Sequence, residues 1–362
     1  MIRIFSNRGQ IRRLLIAVGA GCGFFITSVI LFMYWTFPYD RVADFIVQEV
    51  EHPRGPGGER RASGYELEIV SLSPSWLTGV ELTGVRLSKV PTTPDAPPVE
   101  VTFERVLVRV SLWSLIQGDV GVSFEVEVAG GALEGEYEQT DETVHLEAKI
   151  ESVDLRQIGV IRSLIGLPVA GTLGGTVDVT LERERPRDPT ATPQPPSTPA
   201  EERPETTGNV NLTIAGLAIG DGQAKFVPTG MRDGIRIARI NAGDLRLRLS
   251  VRNGTAQIEE LAARTSHIDL QGAGTIRLRE AIANSIVDVM LRFKFGDEYR
   301  NQNELTRTMF LLMDVLPEVQ SARTPDGFLQ FRFSGVLSQT PRPSPAGRAA
   351  MPSRRAQDPQ RD

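Results

Sequence analysis

Between residues 65 and 337 the chain repeatedly alternates apolar and polar side chains with a period of two. That period places every second side chain on one face of a β-strand, whereas a helix needs a period of 3.6. Tyr65, Leu67 and Ile69 alternate with Glu66 and Glu68, and Val80-Leu82 and Val85-Leu87 follow in the same manner. Val99-Val101-Phe103 slips phase at Glu104–Arg105 and resumes as Val106-Val108-Val110, which predicts a β-bulge. The pattern continues through Phe124–Val128, Leu133–Tyr137, Val144–Ile150, Val177–Leu181 and Val210–Ile214. It closes with Leu245–Leu249, Ile276–Leu278, Val287–Leu291 and a last strand at Phe328–Leu337. Turn residues separate these runs, as in an antiparallel sheet with one apolar face. The fold class expected is mainly β: an elongated antiparallel sheet, groove or sandwich, with a few short amphipathic helices.

Three segments carry the helical period instead. Val42, Phe45, Ile46 and Val50 fit about three turns ended by His52-Pro53. Asp154–Ile165 offers Leu155, Ile158, Ile161 and Leu164, with Asp154 as N-cap and Gly166 as stop. Asn303–Leu316 offers Leu305, Met309, Leu312 and Met313, ended by Pro317. Each stripe reads as a packing face against the sheet.

Residues 183–208 hold seven prolines and almost no apolar side chain, so they cannot bury enough surface to order themselves. They form either a linker or a long loop; the flanking strands can pair as one hairpin, which favours the loop. The division expected is a cytoplasmic basic stretch at 1–13, a transmembrane anchor at 14–37 and a periplasmic β module at 38–182. The disordered loop at 183–208, a second β module at 209–339 and a disordered tail at 340–362 follow. Both modules carry a Gly-rich strand, at 169–176 and 270–277, and their likeness is too loose to establish duplication.

The anchor rests on 24 residues, Leu14 to Phe37, without a charge. As a helix they would span roughly 36 Å, enough for a hydrocarbon core of about 30 Å. Arg3, Arg8, Arg12 and Arg13 precede them with no acid, so the N-terminus stays inside and the rest is exported. A cleaved signal peptide fits less well, because the stretch is long and no small-residue cleavage site follows. Gly19 and Gly23 stand in a spacing that permits helix–helix approach in lipid, and Cys22 lies within the same stretch. The exported part has 36 Lys and Arg against 45 acids, net −9, which leaves no basic footprint for nucleic acid.

A search for chemistry finds little. One cysteine excludes a disulfide framework, and three histidines, His52, His145 and His267, are scattered. No nucleophile elbow, zinc-binding helix, phosphate loop or dinucleotide fingerprint occurs. Glu66/Glu68 and Glu125/Glu127 alternate with apolar residues, which places them on the solvated face of a strand. His145 and the His267/Asp269 pair lack a nucleophile and read as surface-strand residues. Gly272-Ala-Gly274 reads as a close backbone approach or bulge. No catalytic, cofactor or metal residue is assigned, and the chain is read as a non-enzyme.

The basic N-terminus, single span, juxtamembrane helix and YELEIVSLSPSWLTGVELTGVRLSKV resemble the opening of AsmA-like proteins of Gram-negative envelopes. The later stretches GTAQIEELAARTSHIDLQGAGTIRLRE, FGDEYRNQNELTRTMFLLMDVLP and DGFLQFRFSGVL are more similar to protein N of the type II secretion system, the GspN family. The resemblance covers most of 10–338 and consists of glycine and apolar patterns, so no catalytic residue is carried over. It implies an inner-membrane part of the secretion apparatus whose periplasmic sheet meets other apparatus proteins. The alternative is an AsmA-like lipid handler. A sealed sandwich would suit the first, and an open apolar trough the second.

Overall fold

The computed structural model describes residues 39–53, 59–60, 62–76, 78–90, 99–183, 206–226, 234–279, 282–339 and 341–351, with scattered positions between 19 and 32. The helix α1 (Tyr39–Glu51) leads into strands β1 (Tyr65–Ser75), β2 (Gly79–Lys89) and β3 (Val99–Val110). A short helix α2 (Leu112–Gln117) precedes β4 (Val120–Val128), β5 (Gly131–Gln139) and β6 (Thr143–Asp154). A 3-10 turn (Leu155–Gln157) and α3 (Gly159–Ile165) follow, then β7 (Val169–Glu182) and β8 (Thr207–Ile219). A two-stranded ribbon, β9 (Lys225–Phe226) and β10 (Ile235–Arg236), stands before β11 (Ile240–Arg252), β12 (Thr255–Arg264), β13 (Ile268–Arg277) and β14 (Ile286–Phe295). Helices α4 (Asp297–Arg300), α5 (Glu304–Asp314) and α6 (Pro317–Ala322) lead to β15 (Leu329–Val336) and β16 (Arg342–Pro345).

Among the described residues, all strands apart from the ribbon form one antiparallel sheet of 14 strands in chain order. Each pairs with its predecessor and its successor, so the sheet is a continuous meander with β1 and β16 at its edges. The period-two pattern accounts for this, because consistent pairing puts the apolar residues of successive strands opposite one another. The phase slip of β3 appears as a register shift between Phe103 and Arg105 against β4. Five further strand pairs carry such shifts, and each bulge adds local bend and twist.

β7 and β8 pair directly from Val169–Ile219 to Thr180–Thr207, so the sheet runs unbroken past the Pro-rich stretch. The Glu182 N–H donates to Thr206 Oγ1 at 2.9 Å, fixing both ends of that stretch at one hairpin mouth. Residues 184–205 lie outside the described residues.

Several expectations are refined, and one falls mostly outside the described residues. Among the described residues no helix is long and apolar enough to cross a membrane. The span expected at 14–37 falls mostly outside them; the positions described between 19 and 32 are helical, with Phe24, Phe25 and Phe32 exposed. The antiparallel sheet expected is present as one hydrogen-bonded sheet. The segment expected as one helix at Asp154–Ile165 divides into a 3-10 turn capped by Asp154 and the helix α3, stopped by left-handed Gly166. Pro317 does not simply end α5; it begins α6, where its missing N–H costs nothing.

The tail expected to be disordered from residue 340 is docked over 341–351. β16 pairs with β15 as an edge strand, a place that tolerates its prolines. The buried Gln330 amide donates to the carbonyls of Ala346 and Ala349 at 2.8 and 2.7 Å, which ties that backbone down.

Candidate functional site: the apolar face of the sheet

One face of the sheet is apolar across its breadth. Along one row, Val108, Phe124, Gly135, Ala148, Val177, Val210, Leu249 and Ile258 stand opposite one another on successive strands. A neighbouring row runs Val106, Val126, Leu133, Ile150, Gly175, Leu212, Leu247 and Leu261.

Helices cover parts of this face. Ile46, Val47 and Val50 of α1 pack against Leu67, Leu82 and Val85 of β1 and β2. Ile158, which precedes α3 as its N-cap, joins a cluster with Val101, Phe103, Val128 and Leu173. Met309 and Phe310 of α5 join Tyr299 and the strand residues Ile240, Ala263 and Ile268. Rings organise this last cluster: Phe295 lies 5.1 Å from Phe310, and Tyr299 lies 5.5 Å from Phe295.

The middle of the face is different. Val177, Val210, Leu247, Leu249 and Leu261 are half-buried and pack against the buried strand residues Val179, Leu181, Val251, Ala256, Ile258, Val287 and Val289, and no described helix contributes to these clusters. Val122, Phe124, Leu133, Tyr137 and Leu146 are only half-buried. At about 25 cal/mol per Å² of apolar area, covering such a strip with hydrocarbon would be favourable by several kcal/mol.

The opposite face is charged. Arg105 on β3 is its densest node, donating to Glu81 at 3.0 and 3.3 Å and to Glu127 at 3.4 Å, with Glu125 3.7 Å away. These partners raise the Arg105 pKa further, the Glu81 hydrogen bond most of all. Arg332 makes a two-pronged pair with Asp288 at 2.7 and 2.6 Å and holds that carboxyl below its usual range. Glu68 pairs with Arg86 at 3.3 Å. Glu66/Glu68 and Glu125/Glu127 therefore lie on the solvated face, as their spacing requires.

No protein-family model, curated protein or solved structure matches the chain.

The remaining sequence candidates resolve into structural roles. His145 Nδ1 lies 3.0 Å from Thr180 Oγ1 and 4.0 Å from Asp178 on the charged face. His267 is not a surface residue: it is buried, accepts the Asn241 N–H at 3.3 Å and leans on Tyr299. Asp269 turns away to Arg264, so the His267/Asp269 pair suggested by spacing does not form. Gly274 makes the close approach its sequence suggested: at φ +148, a Cβ there would stand 2.3 Å from the Asp288 carbonyl. Among the described residues no three metal-ligating side chains gather.

Sequence reading missed α2. Ser111 before it and Gly118 after it were the available cap signals, and its uncharged Leu-Trp-Ser-Leu-Ile-Gln interrupts the period of two.

Proposed function

We propose that the protein is a non-enzymatic, single-pass inner-membrane protein whose periplasmic sheet shelters acyl chains on its uncovered apolar face. The single observation that carries this reading is the half-buried strip centred on Leu247 and Leu249, which no described helix covers. A sealed core would bury these residues fully. The uncharged Leu14–Phe37 stretch behind four arginines supports insertion with the N-terminus inside. The exposed Phe24, Phe25 and Phe32 suit contact with lipid tails.

The test uses the purified full-length protein. Organic extracts of the wild type should contain lipid detectable by mass spectrometry. Leu247→Asp should remain folded, because water reaches that position, and its extracts should be depleted of lipid. Unfolding of Leu247→Asp together with lipid-free wild type would overturn the reading, since an unpaired charge in a sealed core costs about 3–5 kcal/mol. The second reading, a part of a type II secretion apparatus, is favoured by the GspN-like stretches quoted above. It shares the anchor and the exported sheet but makes the occupant of the apolar face another protein, and lipid-free extracts from a stably folded wild type would favour it.

A further inference from the structure

Outside the apolar face, the most conspicuous unused feature is a cluster of large apolar side chains at one end of the first strands. In α2, Leu112, Trp113, Leu115 and Ile116 are 55%, 69%, 49% and 76% exposed, and the helix buries none of its residues. Trp76, 81% exposed, stands in the turn between β1 and β2. The two sites adjoin, because the Val110 N–H donates to the Thr78 carbonyl at 3.1 Å immediately before α2.

This exposure is built into rigid structure. Ser111 Oγ accepts the Ser114 N–H at 3.3 Å, and left-handed Gly118 closes the helix with its N–H on Leu115. The Ser111 N–H donates to Gly121 at 2.8 Å, fastening α2 to β4. Trp76 sits at φ +57, a conformation that bulky residues avoid, and the turn holds it outward. Clustered apolar exposure of this kind marks a surface that meets another apolar phase.

We infer that Trp76 and α2 seat on the surface of the bilayer that holds residues 14–37. Three observations select a lipid surface. No charge occurs at 73–80 or 110–118, so the patch lacks the polar specificity of a protein interface. The side chains project from a turn and a short helix, and a fluid surface needs no matching shape. Tryptophan favours the headgroup boundary, where its ring is buried and its N–H finds a partner. The tether selects which membrane: α1, about 20 Å long by its rise per residue, starts at Tyr39 and packs on β1, so the first strands stay near the anchor.

The inference rests on the proposed anchoring, and the test separates the two. Full-length protein carrying Trp35→Phe, so that Trp76 and Trp113 dominate emission, is reconstituted into phosphatidylcholine–phosphatidylethanolamine vesicles with brominated acyl chains. Emission should be quenched at least twofold relative to unbrominated vesicles, and high salt should not reverse it. Adding Ile116→Asp should restore most of the emission while circular dichroism stays unchanged, because that side chain has no folding role. Unquenched emission from protein that alkaline carbonate cannot extract would overturn this inference and leave the anchoring intact. Extraction by carbonate would overturn both. Quenching that appears only after a second, brominated vesicle population is added would assign the patch to an opposing membrane and overturn the choice made here.

Discussion

Two residues show how narrowly the sheet is specified. Gly274 lies on the apolar face of β13 against β14, with φ +148 and no space for a Cβ. Gly274→Ala should cost about 2–3 kcal/mol through strain and backbone displacement, read as a lower urea midpoint with an unchanged slope. Tyr299 is fully buried, and its hydroxyl donates to the Ala238 carbonyl at 2.8 Å. Burial pushes its phenol up to about 12. The unfolded phenol ionises near 10, and the folded one resists. The stabilisation is therefore complete below pH 10 and is lost as pH rises from 10 towards 12. Tyr299→Phe should remove that alkaline loss and, at pH 7, cost about 1–2 kcal/mol for the stranded carbonyl; urea titrations at pH 7 and above pH 10 check both. The Gly274 approach was legible, because two glycines one residue apart inside a β pattern signal it. Tyr299 was not: its partner is 61 residues away, and no local period carries that information.

At the scale of elements, period and capping chemistry carried most of the reading. Most strand positions followed from alternation, because side-chain burial in this sheet is decided pairwise, by residues opposite one another; β12 did not, because register shifts on both its sides break its period. α5 begins where Asn303 implied, with a reciprocal cap: Thr306 N donates to Asn303 Oδ1 at 2.9 Å, and Asn303 N donates to Thr306 Oγ1 at 3.2 Å. Asn303→Ala should cost about 1 kcal/mol, lowering the thermal midpoint of the helix-covered end while leaving lipid in organic extracts unchanged. Two of the elements that escaped detection lack both signals. β9 and β10 are two residues each, too short for a period. β16 is a proline-containing edge held by pairing with β15, and Gln330 ties down the backbone that follows it. The candidate site was legible only by halves: its apolar residues were evident, but whether anything covered them depended on how many sheets the strands formed.

For the whole molecule, the proposed topology across a membrane is the property most open to direct measurement. A reporter active only outside the cytoplasm, fused after Leu337, should be active. Replacing Arg3, Arg8, Arg12 and Arg13 with Glu should lower that activity severalfold by weakening the retention of the N-terminus. Activity confined to cytoplasmic reporters at the same position would reverse the orientation proposed here.

The strictly sequential order of the strands has a kinetic consequence. Apart from the ribbon, every strand of the sheet finds its first partner in the one that precedes it. Contact order is therefore low for a β-protein of this size, and low contact order speeds folding. The longest insertion between paired strands, from Phe295 to Leu329, adds little closure cost, because that entropy grows only as the logarithm of length. A chain that orders from its N-terminus can thus add each hairpin to a template already formed, without waiting for distant segments. Nested truncations ending after β8, β12 and β14 should protect progressively more amides from hydrogen exchange, with the early strands protected in all three.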